Sequence, residues 1–168
     1  LNICLIGFMG VGKTEVGRVL AERLGFEFID TDDLIVSRAG KTIPQIFEQD
    51  GEPAFRARER DLLNSLQRVK GKVIAAGGGL PVQEGNLEKL REIGPVVCLE
   101  AEPEEIYRRV KNNHNRPLLQ VDDPLKEIKA LLKARQLYYQ KADLIVRNES
   151  IEKTVGKIMD IMGTKWKK

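Results

Sequence analysis

The chain has 168 residues, close to the size of one domain, and a domain of that size buries roughly 70% of its unfolded surface. Hydrophobic residues at 42% beside charged residues at 32% describe a globular chain, and a net charge of +3 with both signs interspersed supplies no basic arm for nucleic acid. Aromatic residues at 5% are too sparse for a base-stacking platform, and no apolar run reaches the ~18 residues of a membrane span.

Five short apolar, β-branched runs recur along the chain: Asn2–Ile6, Phe26–Ile29, Lys72–Ala76, Pro95–Glu100 and Leu144–Val146. Helical patterns separate them, which predicts a single α/β domain over 1–168, with a five-stranded parallel sheet between two helical layers. Leu1 already lies against the first run, so an initiator Met is expected upstream. No basic-then-apolar leader is present, and Cys4 and Cys98 fall inside strand runs. Buried free thiols in a cytoplasmic, reducing compartment are the expectation.

The first run feeds directly into Gly7-Phe8-Met9-Gly10-Val11-Gly12-Lys13-Thr14, the G-x-x-x-x-G-K-[ST] pattern of a phosphate-binding loop. An amphipathic helix from about Lys13 to Leu24 follows, with Val16, Val19, Leu20 and Leu24 as its apolar stripe and Gly25 as its stop. Strand, loop and helix in that order are the context the pattern requires. The loop amides and the positive end of the helix form an anion nest, Lys13 can reach the β- and γ-phosphates, and the Thr14 hydroxyl can ligate Mg²⁺. A nucleotide is therefore expected. The loop alone does not separate kinase from GTPase.

The second strand run opens onto Asp30-Thr31-Asp32-Asp33, three carboxylates beyond a strand's C-terminal end, where open α/β sheets bind ligands. Asp is also a favoured helix cap, so one of them is expected to cap while others face the site. A long crossover follows over 33–69, of which 33–61 is read as a substrate-binding insertion. It predicts a helix from Leu34, a break at Gly40, a piece at Pro44-Gln45-Ile46-Phe47, a turn over Asp50–Pro53 and a helix from Ala54. Arg56, Glu59 and Arg60 share one face of that last helix; base rates favour a solvated, salt-bridged face.

The third strand run ends in Gly77-Gly78-Gly79, which is expected to bring backbone amides close to a ligand. Helices follow over about Gly85–Ile93 and from Pro103, the latter with Ile106, Tyr107 and Val110 inward. The chain then turns polar, and 111–124 reads as a lid loop with Arg116 near its middle, poised for charge on a transferring phosphoryl group. His114, in the same polar stretch, is assigned no role. A long helix from Pro124 to about Gln140 carries Arg135 on the line of its buried stripe, Leu125, Ile128, Leu131 and Leu132. An arginine there implies an acidic or anionic partner.

Taken together, Gly7–Thr14, Asp30-Thr31-Asp32, Ile43–Phe47, Phe55-Arg56 with Glu59, Gly77–Gly79, Arg116-Pro117-Leu118-Leu119 and Arg135 four residues before Tyr139 form an ordered set over nearly the whole chain. In that set the sequence resembles the shikimate kinases, P-loop kinases related to nucleoside-monophosphate kinases. The resemblance implies ATP-dependent phosphorylation of the shikimate 3-hydroxyl in aromatic amino-acid biosynthesis. Gly10, Val11, Gly12 and Lys13 would hold the ATP phosphates, Thr14 and Asp30 the Mg²⁺, and Arg109 would lie beside adenine. Asp32 would bind shikimate hydroxyls and either take the proton or orient the group. Arg56 and Arg135 would clamp the carboxylate with the Gly78 and Gly79 backbone, Phe47, Phe55 and Glu59 would shape the pocket, and Arg116 would close from the lid. The 147–151 segment would complete the adenine end.

The partner implied is a small molecule, with neither nucleic acid nor membrane, and a monomer is expected. Rival readings are another P-loop small-molecule kinase of the gluconate type, a regulatory GTPase, and a non-catalytic nucleotide-binding module. The Asn-Lys-x-Asp motif that guanine-specific GTPases share is not in the sequence.

Overall fold

The computed structural model describes residues 1–112 and 119–166. It contains a five-stranded, all-parallel sheet built from β1 (Ile3–Ile6), β2 (Glu27–Asp30), β3 (Lys72–Ala75), β4 (Val96–Glu100) and β5 (Leu144–Arg147). The strand order is β2-β3-β1-β4-β5. The central strand pairs with β3 through Cys4 and Ile74 and with β4 through Leu5 and Val97. Burial follows position in the sheet. Every residue of β1 is buried, whereas the edge strands β2 and β5 each bury one residue or none, which is why the middle runs read as continuous apolar stretches.

The helices are α1 (Lys13–Leu24), α2 (Thr31–Ala39), α3 (Ile43–Asp50), α4 (Glu52–Leu66), α5 (Asn86–Ile93), α6 (Pro103–Val110), α7 (Pro124–Tyr139) and α8 (Ile151–Lys165). The predicted five-stranded α/β architecture is the one observed, with strand ends shifted by a residue. The insertion differs in detail. α2 begins at Thr31 rather than Leu34, because the Asp30 carboxylate accepts the amides of Asp32 (2.9 Å) and Asp33 (3.2 Å) and caps the helix there. The expected Pro44–Phe47 piece is a full helix, α3, started by a capping box between Thr42 and Gln45. Only Gly51 separates it from α4.

The packing of α1 also departs from the sequence pattern. Its buried stripe is Val16, Gly17, Leu20 and Ala21, with Val19 and Leu24 only half-buried. The small residues turn inward because the helix lies almost on the sheet. A Cβ at Gly17 would stand 2.4 Å from the Phe28 ring and 3.2 Å from the Leu5 side chain. That close approach fixes the height at which the loop before α1 sits over the strand ends. Gly17→Ala is therefore expected to destabilise the fold by about 1–3 kcal/mol through overpacking, although alanine is the better helix former. A denaturant midpoint equal to or above wild type would contradict the contact.

Candidate active site

The phosphate loop is shaped by its own carbonyls. Lys13 Nζ donates to Gly7 O (2.7 Å) and Phe8 O (2.9 Å), so the ammonium is folded over the loop. Arg109 Nη1 donates to Gly10 O (3.0 Å) from α6, and Asn148 Nδ2 donates to Val11 O (2.8 Å) from the turn before α8. Gly12 caps α1 at φ 94°, a left-handed conformation that glycine adopts without strain. The first amides of α1 have no partner within the helix and present a positive end toward the loop.

Thr14 Oγ1 donates to Asp30 Oδ2 at 3.1 Å, while Asp30 Oδ1 caps α2. As expected for the carboxylate cluster, one Asp caps while others face the site: Asp30 caps α2 and, like Asp32, lines the cavity. A hydroxyl and a carboxylate are hard oxygen donors, and no cluster of three or more His, Cys, Asp or Glu side chains that could hold an ion occurs among the described residues. This donor set fits Mg²⁺, which keeps several waters and takes its remaining ligands from phosphate oxygens.

Asp32, one residue into α2, faces the end of β3. A Cβ at Gly77 would stand 2.5 Å from Asp32 Oδ1. The next two glycines are matched to two arginines. A Cβ at Gly78 would come within 3.3 Å of Arg135 Nη1, and one at Gly79 within 2.7 Å of both terminal nitrogens of Arg56. The glycine run was expected to admit a ligand; the atoms nearest to it are the Asp32 and Arg56 side chains at Gly77 and Gly79, and the Met9 amide with Arg135 at Gly78. A cavity of about 560 Å³ holds Lys13, Thr14, Asp30, Asp32, Gly77 and Gly78, with Arg109 at its rim. Arg56, Glu59, Phe47, Phe55, Gly79 and Arg135 do not line it. They form an adjoining cluster that meets the cavity through Gly78 and Gly79.

That cluster is not the solvated helix face the base rates favoured. Arg56 is 8% exposed and Glu59 1%, and only Arg60 points outward. Arg56 Nη1 donates to Glu59 Oε2 (2.9 Å), and its Nη2 donates to Glu52 Oε1 (3.0 Å). Its guanidinium lies over the Phe55 ring, which packs against Phe47 at 5.1 Å between centroids. Burial works to lower the Arg56 pKa, but the charges and hydrogen bonds of Glu59 and Glu52 outweigh it and leave the pKa raised. Burial pushes Glu59 up to about 7, against the pull of the Arg56 charge, and the Asp32 charge adds to the rise.

Arg135, buried as its place on the α7 stripe predicted, lies over the Phe8 ring at 5.4 Å. Its Nη1 is buried with no hydrogen-bond partner. A buried guanidinium nitrogen left unpaired is costly, which marks it as a group that awaits an anion. One turn along α7, the Tyr139 hydroxyl donates to Gly78 O at 2.7 Å, and burial raises its pKa to about 12.

Of the predicted site residues, Arg109 reaches the loop as described and Arg116 lies outside the described residues, as does His114. Sequence reasoning did not single out Phe8, Thr31, Glu52 or Asn148. Thr31 Oγ1 accepts the Gly77 amide at 2.9 Å and so ties α2 to the end of β3. Glu52 stands four residues before Arg56, a readable spacing once α4 is known to start at Glu52 rather than Ala54. Phe8 and Asn148 carry no signal of their own.

A parallel sheet with a phosphate loop after its central strand, a hydroxyl–carboxylate pair beside it and two buried arginines next to the cavity point to a P-loop kinase of small molecules. A shikimate kinase family model matches residues 9–162. The shikimate kinase of Pelotomaculum thermopropionicum is 51% identical over 142 residues, covering 84% of this chain and 83% of that one. That of Thermodesulfovibrio yellowstonii is 43% identical, covering 89% and 87%. A structure of shikimate kinase from Acinetobacter baumannii in complex with shikimate superposes with a TM-score of 0.94 at 43% identity, covering 99% of this chain and 95% of that one. The chain belongs to the shikimate kinase family. A gluconokinase from Sinorhizobium meliloti shares the fold at TM-score 0.64 but only 18% identity, and so speaks to architecture alone.

The glycine run gives a direct test of the site. Gly79→Ala places a methyl where the Arg56 guanidinium stands, so binding of a carboxylate ligand is expected to weaken about tenfold or more. Calorimetry on a variant with unchanged circular dichroism checks it. Wild-type affinity would show that Arg56 does not act at this position.

Proposed function

We propose that this enzyme transfers the γ-phosphoryl group of ATP to the 3-hydroxyl of shikimate, giving shikimate 3-phosphate and ADP in chorismate and aromatic amino-acid biosynthesis. The observation that carries the reading is the buried, unpartnered Arg135 Nη1 beside Gly78, with Arg56 beside Gly79. Two guanidinium forks from separate helices suit one carboxylate, and Asp32 lines the cavity shared with the phosphate loop.

In this reading the amides of Gly10 to Thr14 and the Lys13 ammonium hold the donor phosphates. Lys13 exchanges its loop carbonyls for phosphate oxygens. Thr14 would ligate Mg²⁺ and Asp30 would help hold it through water, and the ion would supply charge neutralisation at the donor phosphates. Asp32 orients the 3-hydroxyl and receives its proton as the oxygen attacks the γ-phosphorus and the bond to the β,γ-bridging oxygen breaks. Little covalent work falls to the protein; position and charge do most of it. Phe47, Phe55 and Glu59 shape the acceptor pocket, Arg109 lies beside adenine, and Arg116 closes from the 111–124 segment. The insertion 33–61 is the acceptor-binding part of a single domain. No helix among the described residues is long and apolar enough to cross a membrane. We take the protein to be a cytoplasmic monomer that binds neither nucleic acid nor membrane.

Purified protein supplied with ATP and Mg²⁺ should form ADP with shikimate and not with gluconate; no ADP above background with shikimate would reject the assignment. Arg135→Lys should raise KM for shikimate far more than KM for ATP, because a point charge cannot replace a fork. Equal effects on both would make Arg135 structural.

Acidity should modulate acceptor binding. Above about pH 7 Glu59 is charged and competes for Arg56; below it the carboxyl is neutral and Arg56 is left to the substrate, whose own carboxylate stays ionised. The dissociation constant of shikimate without nucleotide is thus expected to fall as pH drops from 8 to 6, and Glu59→Gln to flatten that slope. A slope of opposite sign in calorimetric titrations would overturn this role.

A further inference from the structure

Asn148 sits in the turn between β5 and α8, within the 147–151 segment expected at the adenine end, and lines the cavity, but no role toward the phosphate loop has been given to it. It is 6% exposed, and Thr154, one of its partners, is 1% exposed. The Asn148 amide donates to Glu100 O at 2.9 Å, which anchors the turn to the end of β4. Thr154 Oγ1 donates to Asn148 Oδ1 at 2.9 Å, and Asn148 Nδ2 donates to Val11 O at 2.8 Å. The orientation of the carboxamide follows from chemistry. Val11 O can only accept, so Nδ2 must face it, and Oδ1 is left for the Thr154 hydroxyl.

The consequence falls on the phosphate loop. A trans peptide holds its C=O and the following N–H in opposite directions, and no cis peptide occurs among the described residues. Drawing the Val11 carbonyl toward Asn148 therefore turns the Gly12 N–H the other way. Gly12 lines the cavity with Lys13 and Thr14. The contact is direct: a Cβ at Gly12 would stand 2.4 Å from Asn148 Nδ2. Were this peptide to flip, an amide donor would leave the nest and a carbonyl oxygen would enter it, opposing any phosphate there.

We propose that Asn148, oriented by Thr154, is a positioning residue for the phosphate loop, holding the Val11 carbonyl back so that the Gly12 amide stays aimed at the donor phosphates. This rests on the reading that Gly7–Thr14 binds ATP. The carboxamide is suited to it and a carboxylate is not, since a carboxylate beside Val11 O has no proton to donate.

Four variants test it. Asn148→Ala should weaken Mg²⁺-ADP binding in calorimetry, and raise KM for ATP, about tenfold, the worth of one buried hydrogen bond. KM for shikimate should stay within about twofold of wild type, since the acceptor clamp is untouched. Asn148→Asp should be at least as severe as alanine. Thr154→Val, which keeps shape but loses the hydroxyl, should move in the same direction, and Thr154→Ser should restore wild-type values. Unchanged ADP affinity in Asn148→Ala, or equal loss by valine and serine at 154, would overturn the proposal. So would parallel rises in both KM values with a lowered thermal midpoint, which is what a merely structural role would give. If Asn148→Ala does not fold, the 154 pair decides. Wild-type protein that binds ADP but does not turn over shikimate would reject the substrate and leave the Asn148 test intact, whereas wild-type protein that binds no ADP would remove its premise.

Discussion

The site depends on one crowded stretch of backbone. Gly77, Gly78 and Gly79 follow β3; a side-chain carbon would collide with Asp32 at Gly77 and with Arg56 at Gly79, and would sit tightly against Arg135 and the Met9 amide at Gly78. These three groups come from α2, α7 and α4, elements far apart in sequence. Only bare backbone lets them converge at one strand end. The convergence is then pinned from outside: Thr31 accepts the Gly77 amide and Tyr139 donates to the Gly78 carbonyl. The run is the floor on which the acceptor side is assembled, and the phosphate loop lies across from it, with the Met9 amide 3.2 Å from where a Gly78 Cβ would stand.

The charges in this region are held at the expense of stability. Arg56 and Glu59 are both withdrawn from water, and a buried ion pair of this kind seldom repays its desolvation. Arg135 is withdrawn as well and keeps an unpaired Nη1, while Glu59 keeps an unpaired Oε1. A core optimised for folding would replace these with apolar groups. Their persistence beside Phe8, Phe47 and Phe55 is therefore a cost to folding that an incoming anion would offset under the proposed function. In the proposed reading, a carboxylate would meet donors already desolvated and oriented, which would strengthen each bond it makes.

How much of this could be read from the sequence divides along a physical line. The loop Gly7–Thr14 is contiguous, and its chemistry follows from local geometry, so residues and role were legible together. Arg135 was legible because it continues the α7 apolar stripe, where a charge is anomalous. Arg56 was not. On a helix rich in Arg and Glu, the exposed and buried faces look alike until the neighbouring helices are placed. Only the ordered resemblance singled it out. The glycine run was placed at its strand end, but the crowding comes from side chains of three other helices that are distant in sequence. Asn148 and Phe8 were invisible, since one acts through a carbonyl 137 residues distant and the other occupies a variable position of the loop.

Several residues serve two ends at once. Asp30 caps α2 with one oxygen and meets Thr14 with the other, so the start of the insertion and the candidate metal position share an anchor. Arg109 pairs with Glu105 on its own helix and holds the Gly10 carbonyl. Gly17 lets α1 rest on Phe28 and Leu5, which places the loop above the strand ends. In each case a local structural need, a cap, an ion pair or a close packing contact, orients a group that faces the nucleotide side. Stability and site geometry are therefore coupled at these positions. A substitution that relaxes the fold there moves the phosphate loop, while the buried arginines of α4 and α7 respond to a different set of contacts.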